Sequence, residues 1–559
     1  MTATASAIEV PHAGAGLRVR RAAVPAAIVA LAAVVRLVAL SRVTPNPFYD
    51  AAVRSMGSSW RAFFFGALDP SVRVAVDKPP VDLWLQVAST KILGFTTPAL
   101  LLPEALAGTL MVALVYDLGR TLFGRTAGIV GALVLALLPL EVITARSDTM
   151  DAVMAALVVG AAALVARAAR GGRPWLVVAG GAALGLAFDV KLAEALIAMP
   201  AIAALWWLGS PAPGRARARA LAWAAAAFAV IALAWPVAVT LAPGPHPWAL
   251  GSTNGSVWTA IFVYDGLDRL TGGPHHVAAG DSPPAALAAA PAPPGPLRLL
   301  SGRAALGSRI GLQTVAALAA LVAALALGGL RVLDRVGRAG LLAIGTWLVG
   351  GTVLFSAMHG LHPRYLEALA PAVALTAGAG FALAARRGRQ AAAAATIVLA
   401  GVLAASAITA TTAVRNGTSD SGRPGYIPQA RAAALSSYLR ARQGRARYEF
   451  ASIAPAKAAQ VIARDGRAAL ILEAYYGRPL VSARELAADV RSGAVRYALL
   501  GSRCSLASPD RGTGCSPAAR WIRAHGTDVS RAAGQPNPGL VYWLRSRPRT
   551  PRGDPAITR

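Results

Sequence analysis

Apolar stretches of about 20 residues recur along the chain up to residue 412, and each is long enough to cross a bilayer as a helix. The 559-residue sequence is 55% hydrophobic and only 14% charged, an apolar share that is high for a soluble protein. The sequence therefore predicts a mainly α-helical, polytopic membrane protein with about 11 or more transmembrane helices. The predicted spans are residues 22–41, 98–118, 126–144, 151–168, 174–190, 194–209, 220–242, 310–330, 339–357, 364–384 and 390–412.

Arginine marks one side of the predicted topology. The net charge is +29, and the arginines cluster between apolar stretches, which indicates contact with lipid headgroups rather than with nucleic acid. Arg18, Arg20 and Arg21 precede the first span and predict a cytoplasmic N-terminus with an uncleaved signal anchor. Every second later junction is also arginine-rich: Arg120 and Arg125; Arg167, Arg170 and Arg173; Arg215, Arg217 and Arg219; Arg331, Arg335 and Arg338; Arg386, Arg387 and Arg389.

The same alternation predicts the domain organisation. A disordered cytoplasmic tail is expected at 1–21, a transmembrane domain at 22–412, an extracytoplasmic α/β domain at 413–545 and a second disordered tail at 546–559. The transmembrane domain would carry two long external loops, the first at 42–97 and the second at 243–309.

The segment after residue 412 alternates strand-like and helix-like patterns, which predicts a small and largely parallel sheet. Its two cysteines, Cys504 and Cys515, could form a local disulfide or remain as thiols. Strands are predicted within 448–453, 468–475, 495–500 and 540–544, and helices at 429–442, 456–464, 483–491 and 517–524.

The first external loop holds the densest polar and aromatic content in the first half of the chain. Residues 51–60 and 81–93 have amphipathic patterns, which predict two helices that lie at the membrane interface. Aromatic side chains of the kind that anchor such helices are Trp60, Phe63, Phe64, Phe65 and Trp84.

Asp77 and Lys78 place opposite charges side by side in this loop. Glycosyl or phosphoryl transfer needs a base for the acceptor and cations for a phosphate leaving group. Asp77 and Asp50 are therefore candidate catalytic residues, although Asp77 could instead cap the helix near Val81, and Asp50 could stabilise a first helical turn. Only four of the 55 basic residues are lysines, and two of them, Lys78 and Lys191, are candidate phosphate ligands.

Ionisable residues near membrane depth are costly and by default indicate a functional site. Arg146 and Arg364 are further candidates for binding the donor phosphate. Capping or interfacial anchoring are alternatives at these junctions, and Lys191 could simply pair with Glu194. Two histidines without a third ligand leave a divalent metal possible and predict no firm cofactor. The candidate substrate-lining residues are Tyr49, Asp148, Asp151, Asn254, Tyr264, Asp265, His359, His362 and Tyr365.

Several stretches form a recognisable set: Phe48 to Met56, Ser59 to Gly66, Val76 to Pro80, Gly251 to Ser256, Tyr264 to Leu267, His362 to Tyr365, Leu369 to Pro371 and Val490 to Gly501. This set resembles bacterial, mostly actinobacterial, membrane proteins of the glycosyltransferase family 39 type. That group includes mannosyltransferase-like and aminoarabinose-transferase-like proteins of the GT-C superfamily. The resemblance covers most of residues 25–505, and the run in the first loop is its specific part.

The resemblance implies a GT-C type bundle that uses a polyprenyl-phosphate-linked sugar on the extracytoplasmic side of the bacterial plasma membrane, with inversion at the sugar. The acceptor would be a protein, lipid or glycan of the envelope. Relatives carry the proposed base early in the first loop, but Thr44 to Pro47 contain no acid here. The resemblance therefore leaves Asp50 and Asp77 as alternatives for the base, and it implies that Lys78 contacts the donor phosphate.

Two other function classes are compatible with a polytopic membrane protein. A transporter or flippase for lipid-linked sugars would predict helix-breaking pairs near mid-bilayer and inverted repeats, and neither is evident in the sequence. A non-catalytic envelope scaffold that presents the C-terminal domain would predict that the loop carboxylates are dispensable.

Overall fold

The computed structural model describes residues 13–44, 46–271, 292–420, 427–500 and 516–545. Both cysteines, the predicted tail at 546–559 and most of the predicted tail at 1–21 lie outside these residues. The described chain is mainly helical. Its helices are α1 (Ala13–Leu37), α2 (Pro47–Met56), α3 (Trp60–Phe65), α4 (Val81–Leu93), α5 (Thr97–Phe123), α6 (Arg125–Leu137), α7 (Pro139–Thr144), α8 (Asp151–Gly171), α9 (Trp175–Lys191), α10 (Met199–Gly209), α11 (Gly214–Leu241), α12 (Asp268–Thr271), α13 (Leu312–Ala326), α14 (Gly329–Val332), α15 (Arg335–Ala357), α16 (Ala370–Arg387), α17 (Arg389–Arg415), α18 (Gln429–Arg442), α19 (Pro455–Asp465), α20 (Ala483–Arg491) and α21 (Pro517–His525).

Nine helices within the described ranges are long and apolar enough to cross a membrane. The two shorter apolar helices, α6 and α10, account for the remaining predicted spans, so the prediction of a mainly α-helical, polytopic membrane fold is confirmed. The membrane-length helices are Ala22–Arg42, Thr97–Phe123, Asp151–Gly171, Trp175–Leu196, Gly214–Leu241, Gly307–Ala326, Arg335–Ala357, Pro363–Arg387 and Arg389–Arg415.

The centre of the bundle is formed by α5, α8 and α16, and α17 lies at its periphery. Small residues let the helices approach closely, as is common in membranes. A Cβ atom at Gly181 would overlap the Ala224 carbonyl across the α9–α11 contact, and one at Gly378 would overlap the Ala127 carbonyl across the α16–α6 contact.

A proline interrupts the span predicted at 126–144 and creates a buried polar site. Pro139 has no N–H to donate to the Leu135 carbonyl, and the chain leaves helical geometry between α6 and α7. Arg36 from α1 fills this break: its guanidinium donates to the Leu135 and Ala136 carbonyls at 3.3 and 3.2 Å and forms an ion pair with Glu141. Both partners of the ion pair are fully buried.

Removing one charge from this pair should destabilise the fold strongly. Glu141→Gln keeps the side-chain shape but leaves the Arg36 charge buried without its anion, which typically costs about 3–5 kcal/mol. The expected result is a large fall in the thermal unfolding midpoint of the detergent-solubilised protein. Asp117→Asn is the matched control, because Asp117 pairs with the half-exposed Arg120 and Arg167, and such pairs contribute about 0–1 kcal/mol. Equal midpoints for both variants would contradict this account of Arg36.

The first loop is folded, and its first helix differs from the predicted one. Asn46 accepts from the Phe48 N–H and Pro47 occupies the first turn, so α2 begins at Pro47 rather than at residue 51. Most of α2 is buried because it packs against α4 and α19, which differs from the surface position expected for it. By contrast, α4 has the predicted bounds, and Trp60 is 84% exposed, as an interfacial anchor would be.

Two short strands join the two long loops. Strands β1 (Val74–Ala75) and β2 (Trp248–Ala249) pair in parallel, with Val74 opposite Trp248. This pairing fixes the chain just before Asp77 and Lys78.

The C-terminal region contains a five-stranded sheet of β3 (Phe450–Ser452), β4 (Ala469–Ile471), β5 (Tyr497–Leu499), β6 (Gly526–Asp528) and β7 (Val541–Leu544) in the order β4-β3-β5-β7-β6. The first three strands are parallel, and β7 runs antiparallel to both β5 and β6. The sheet is thus more mixed than predicted. The sequence did not reveal β6, because Gly and Asp are depleted in strands and this strand is a short sheet edge.

Glu449, buried beside Asp465, should make this domain less stable at high pH. Burial, reinforced by the Asp465 carboxylate, raises the pKa of Glu449 from 4.5 to about 8. The folded domain therefore keeps a proton on Glu449 at pH values where the unfolded chain has released it. As the pH rises from about 4.5 through 8, this difference increasingly favours the unfolded chain, so the free energy of unfolding falls. We expect Glu449→Gln, which cannot ionise, to unfold about 4 °C higher than the wild type at pH 9 and nearly together with it at pH 4.5.

The matched control for this experiment is Glu485→Gln in the same domain. Glu485 completes a capping box with Ser482 at the surface, and hydrogen bonds from Ser482 lower the pKa of Glu485. This control should not gain stability at pH 9. Parallel pH profiles for wild type and Glu449→Gln would show that Glu449 does not retain its proton in the fold.

Candidate functional site

Asp77 and Lys78 are buried between the strand pair and α4. The two residues are 6% and 8% exposed, and the Lys78 Nζ lies 3.8 Å from the Asp77 carboxylate. Pro79 and Pro80 restrict the backbone that follows. The cap position of α4 is occupied by Pro80 and has no side-chain cap, so Asp77 is not held there as a helix cap.

Lys191 lies at the C-terminal end of α9, where a cation is favoured by the helix dipole. Its ammonium donates to Asp151, the first residue of α8, and lies 3.1 Å from the Glu194 carboxylate. Met150 precedes Asp151 with φ 68°, and Leu192 follows Lys191 with φ 54°. Such left-handed backbone is costly for residues of this kind and clusters at functional sites.

Lys78 and Lys191, distant in sequence, line one cleft of about 80 Å³. We call it the two-lysine cleft. Its other polar side chains belong to Glu194, Asp265 and Tyr365. The remaining wall is apolar or small and consists of Leu192, Ala193, Ile197, Gly266, Leu354, Phe355 and Met358. The cleft therefore combines two cations and two carboxylates with an apolar wall, and its ammonium groups are of the kind that bind phosphate.

Aromatic rings surround the two cations. The Lys78 Nζ lies 5.9 Å from the centre of the Tyr49 ring, and the Lys191 Nζ lies 5.0 Å from that of Tyr365. Arg364 stacks 5.6 Å over the same Tyr365 ring. These separations allow cation–π attraction, so the rings help to hold the charges in place.

The C-terminal domain contributes Tyr475, which was not a candidate from sequence. Its ring lies 6.3 Å from Phe48 of α2 and 5.9 Å from Tyr264 of the second loop. Burial raises the pKa of Tyr475 well above its ordinary value, and the Asp77 carboxylate adds to this shift. Tyr475 thus remains a neutral hydroxyl beside the charged groups.

Asp50 belongs to a different environment from Asp77. Its carboxyl group is buried against that of Asp148, and burial together with this neighbour raises the pKa of Asp50 well above its ordinary value. The two carboxyl groups therefore interact mainly with each other. Asp50 lines a separate groove that Gln460 and Arg464 of the C-terminal domain close, and it does not line the two-lysine cleft.

Several other candidates lie away from the cleft. Arg146 donates to the carbonyls of residues 35, 36, 38 and 39, so its guanidinium caps the end of α1 instead of facing an anion. Asn254 lines a neighbouring cavity, while His359 and His362 are exposed. Within the described ranges, no group of three or more His, Cys, Asp or Glu side chains could hold a metal ion.

A pair of buried acids, also unpredicted, connects the two lysines. Glu104 of α5 accepts from the Ala152 N–H at 2.9 Å in the first turn of α8, next to Asp151. Its carboxyl group contacts that of Asp82 in α4, and burial raises the pKa of Asp82. Because α4 follows Lys78 and Asp151 binds Lys191, this pair fixes the spacing between the two cations.

Comparisons with known proteins agree with this architecture. Residues 77–239 match the family described as dolichyl-phosphate-mannose-protein mannosyltransferase, and residues 435–525 match the C-terminal region of YkcB-like candidate mannosyltransferases. The candidate mannosyltransferases YycA and YkcB of Bacillus subtilis (strain 168) are each 34% identical to the chain, over 240 and 230 residues. These alignments cover 43% and 41% of this chain, but only 35% and 32% of the relatives.

Solved structures match over nearly the whole chain. ArnT from Cupriavidus metallidurans, solved with undecaprenyl phosphate, is 17% identical with a TM-score of 0.54, covering 95% of this chain and 98% of ArnT. The archaeal oligosaccharyltransferase AglB from Archaeoglobus fulgidus, solved with an inhibitory peptide and a dolichol-phosphate, is 11% identical with a TM-score of 0.56, covering 96% of this chain and 75% of AglB. The fold is therefore of the GT-C type, as the sequence resemblance implied.

Proposed function

We propose that this chain is a membrane glycosyltransferase that moves a sugar from a polyprenyl-phosphate donor to an acceptor of the cell envelope. The observation that carries the proposal is the meeting of Lys78 and Lys191 in one cleft with an apolar wall. The mannosyltransferase-type relatives and the lipid phosphates in the solved ArnT and AglB structures support the same donor class.

The cations suit the leaving group of such a reaction. When the bond between the anomeric carbon and the phosphate oxygen breaks, negative charge develops on the lipid phosphate. Lys78 and Lys191 would neutralise that charge in a site largely shielded from water, where preorganised charges are most effective. Arg364, stacked on Tyr365, would add a third cation at the same edge.

Asp77 is the residue best suited to act as the base. An acceptor hydroxyl attacks the anomeric carbon from the face opposite the phosphate, so that a new carbon–oxygen bond forms as the old one breaks, and the acceptor proton passes to the Asp77 carboxylate. Asp50 is less suited, because its carboxyl group faces that of Asp148 in a separate groove, whereas Asp77 adjoins Lys78. The products are the glycosylated acceptor and the polyprenyl phosphate.

The proposed orientation puts the two-lysine cleft at the outer side of a bacterial plasma membrane, with the N-terminus in the cytoplasm. Arg120, Arg170 and Arg386, from three arginine-rich junctions, line a single cavity. The positive-inside rule favours a cytoplasmic position for such a cluster. The C-terminal domain, which supplies Tyr475 to the cleft region, would then lie outside.

The decisive experiment uses the full chain in nanodiscs with radiolabelled undecaprenyl-phosphate hexoses and pentoses and with bacterial envelope fractions as acceptors. Transfer of label from at least one donor supports the proposal. Movement of the intact donor across a vesicle membrane without transfer would instead indicate a flippase. Absence of both transfer and undecaprenyl-phosphate binding would refute the proposal and leave a scaffold role.

A further inference from the structure

A second, larger cavity of about 500 Å³ lies beside the proposed reaction centre. We call it the tryptophan cavity because Trp235, Trp248 and Trp258 line it. The strand β1 and Val76 also line this cavity, and the next two residues, Asp77 and Lys78, form the proposed centre. The cavity and the centre are thus joined through one short segment of backbone.

One of the three indoles lacks a hydrogen-bond acceptor. Trp235 donates to the Phe64 carbonyl and Trp258 donates to the Thr240 hydroxyl, both at 2.9 Å. The Trp248 Nε1 atom is shielded from solvent and has no acceptor among the described residues. A shielded donor without a partner costs about 1–3 kcal/mol, so an incoming oxygen atom would gain a favourable hydrogen bond there.

The backbone around this cavity does not offer a place for an added peptide strand. Strand β1 is bonded to β2 on one side and bridges to Ala67 on the other. On β2, the Ala249 N–H already donates to the Gly255 carbonyl at 3.2 Å. Peptides that bind by extending a sheet require a free edge, so recognition at this cavity must rely on side chains.

The side chains present are suited to sugars. Indole rings provide flat apolar faces with a polar edge, which match the alternating C–H faces and hydroxyl groups of a pyranose or furanose ring. Arg73, Asn254 and Ser256 add groups that can bond hydroxyls, and none of the described residues that line the cavity carries a carboxylate. The volume lies within the range of small-ligand sites.

From these observations we infer that the tryptophan cavity binds the acceptor, and that this acceptor is a carbohydrate chain. The inference rests on the proposed function and specifies the acceptor class. Ile471 at the end of β4 and Leu480 complete the lining, so the C-terminal domain takes part in selecting the acceptor. The sugar hydroxyl nearest Val76 would be the one that reaches Asp77.

The inference can be tested by direct binding, without any transfer reaction. The full chain in nanodiscs is titrated with fluorescently tagged mannotetraose, with tagged arabinotetraose and with a tagged Ser/Thr-rich peptide of similar size. We expect at least one saccharide to bind and the peptide not to bind. Trp248→Ala should weaken saccharide binding about tenfold, and Trp248→Phe, which keeps an aromatic face but loses the N–H, should give an intermediate loss.

Two control variants make the result specific. Trp175→Ala removes an exposed tryptophan at the start of α9, far along the chain from the cavity lining, and should leave saccharide binding unchanged. The thermal unfolding midpoint of Trp248→Ala, compared with that of the wild type, reports whether the variant is folded. If Trp248→Ala is not folded, the comparison of saccharide binding between the wild type and Trp248→Phe tests the inference. If Lys78→Ala still binds the saccharide, the tryptophan cavity is distinct from the donor site.

Three outcomes would overturn the inference: no binding of either saccharide, equal saccharide affinity in wild type and Trp248→Phe, or preferential binding of the peptide. If Trp248-dependent saccharide binding is observed but no undecaprenyl-phosphate donor binds or reacts, the proposed transferase function fails while the carbohydrate site stands. The two failures are therefore distinguishable.

Discussion

The Asp77→Asn variant is expected to transfer sugar about 10² to 10⁴ times more slowly than the wild type, the range that general acid–base catalysis contributes. An amide has nearly the same size as a carboxylate but cannot accept the acceptor proton. The loss should appear in kcat at saturating donor, while the affinity for undecaprenyl phosphate changes only a few fold. Single-turnover transfer in nanodiscs measures the first quantity and equilibrium binding the second.

Asp50→Asn is the matched control for Asp77→Asn. Because the Asp50 carboxyl group faces that of Asp148 and lines a separate groove, replacing it by an amide should leave activity close to that of the wild type. The opposite result, with Asp50→Asn inactive and Asp77→Asn active, would assign the base to Asp50.

Removing the Lys78 charge should reduce kcat/KM about 10²- to 10³-fold, as is typical when one preorganised group that stabilises developing charge is lost. Lys78→Ala should also weaken binding of undecaprenyl phosphate, because the same ammonium faces the donor before and after transfer. Lys78→Arg should recover part of this loss, since it keeps the charge but places it on a planar, larger group. Donor binding and initial rates measure the two effects separately.

The control for Lys78→Ala is another lysine from the same region. Lys91 lies at the end of α4 and is exposed, so Lys91→Ala should behave as the wild type in both assays. Lys191→Arg is preferable to Lys191→Ala, because the alanine variant would leave Asp151 buried without its cation. Unchanged donor binding in Lys78→Ala would show that the two-lysine cleft does not hold the phosphate.

The sequence predicted the membrane fold well because apolar length and arginine placement are local signals. Lysine is rare among the basic residues of this chain, and this rarity singled out Lys78 and Lys191. The structure brings both into one cleft. Local patterns cannot reveal which distant groups meet, so Tyr475 and the acid pair of Asp82 and Glu104 were not foreseen.

The same limitation explains the candidates that lie elsewhere. Arg146 was indistinguishable from a phosphate ligand until its contacts with the carbonyls at the end of α1 were visible. Asn254 belongs to a turn whose neighbours line the tryptophan cavity. Arg146 was correctly noticed as a charged residue at a span boundary, but its partners came from another part of the chain.

Tyr475 has a consequence for the timing of biogenesis. Phe48 and Tyr264 face the ring of Tyr475, which lies more than 200 residues after Tyr264, so the aromatic enclosure closes only after the ribosome has passed residue 475 and the sheet has folded. A nascent chain that ends before residue 475 contains Lys78 and Lys191 but lacks the Tyr475 ring. Docking of the C-terminal sheet is thus the step that completes this aromatic enclosure.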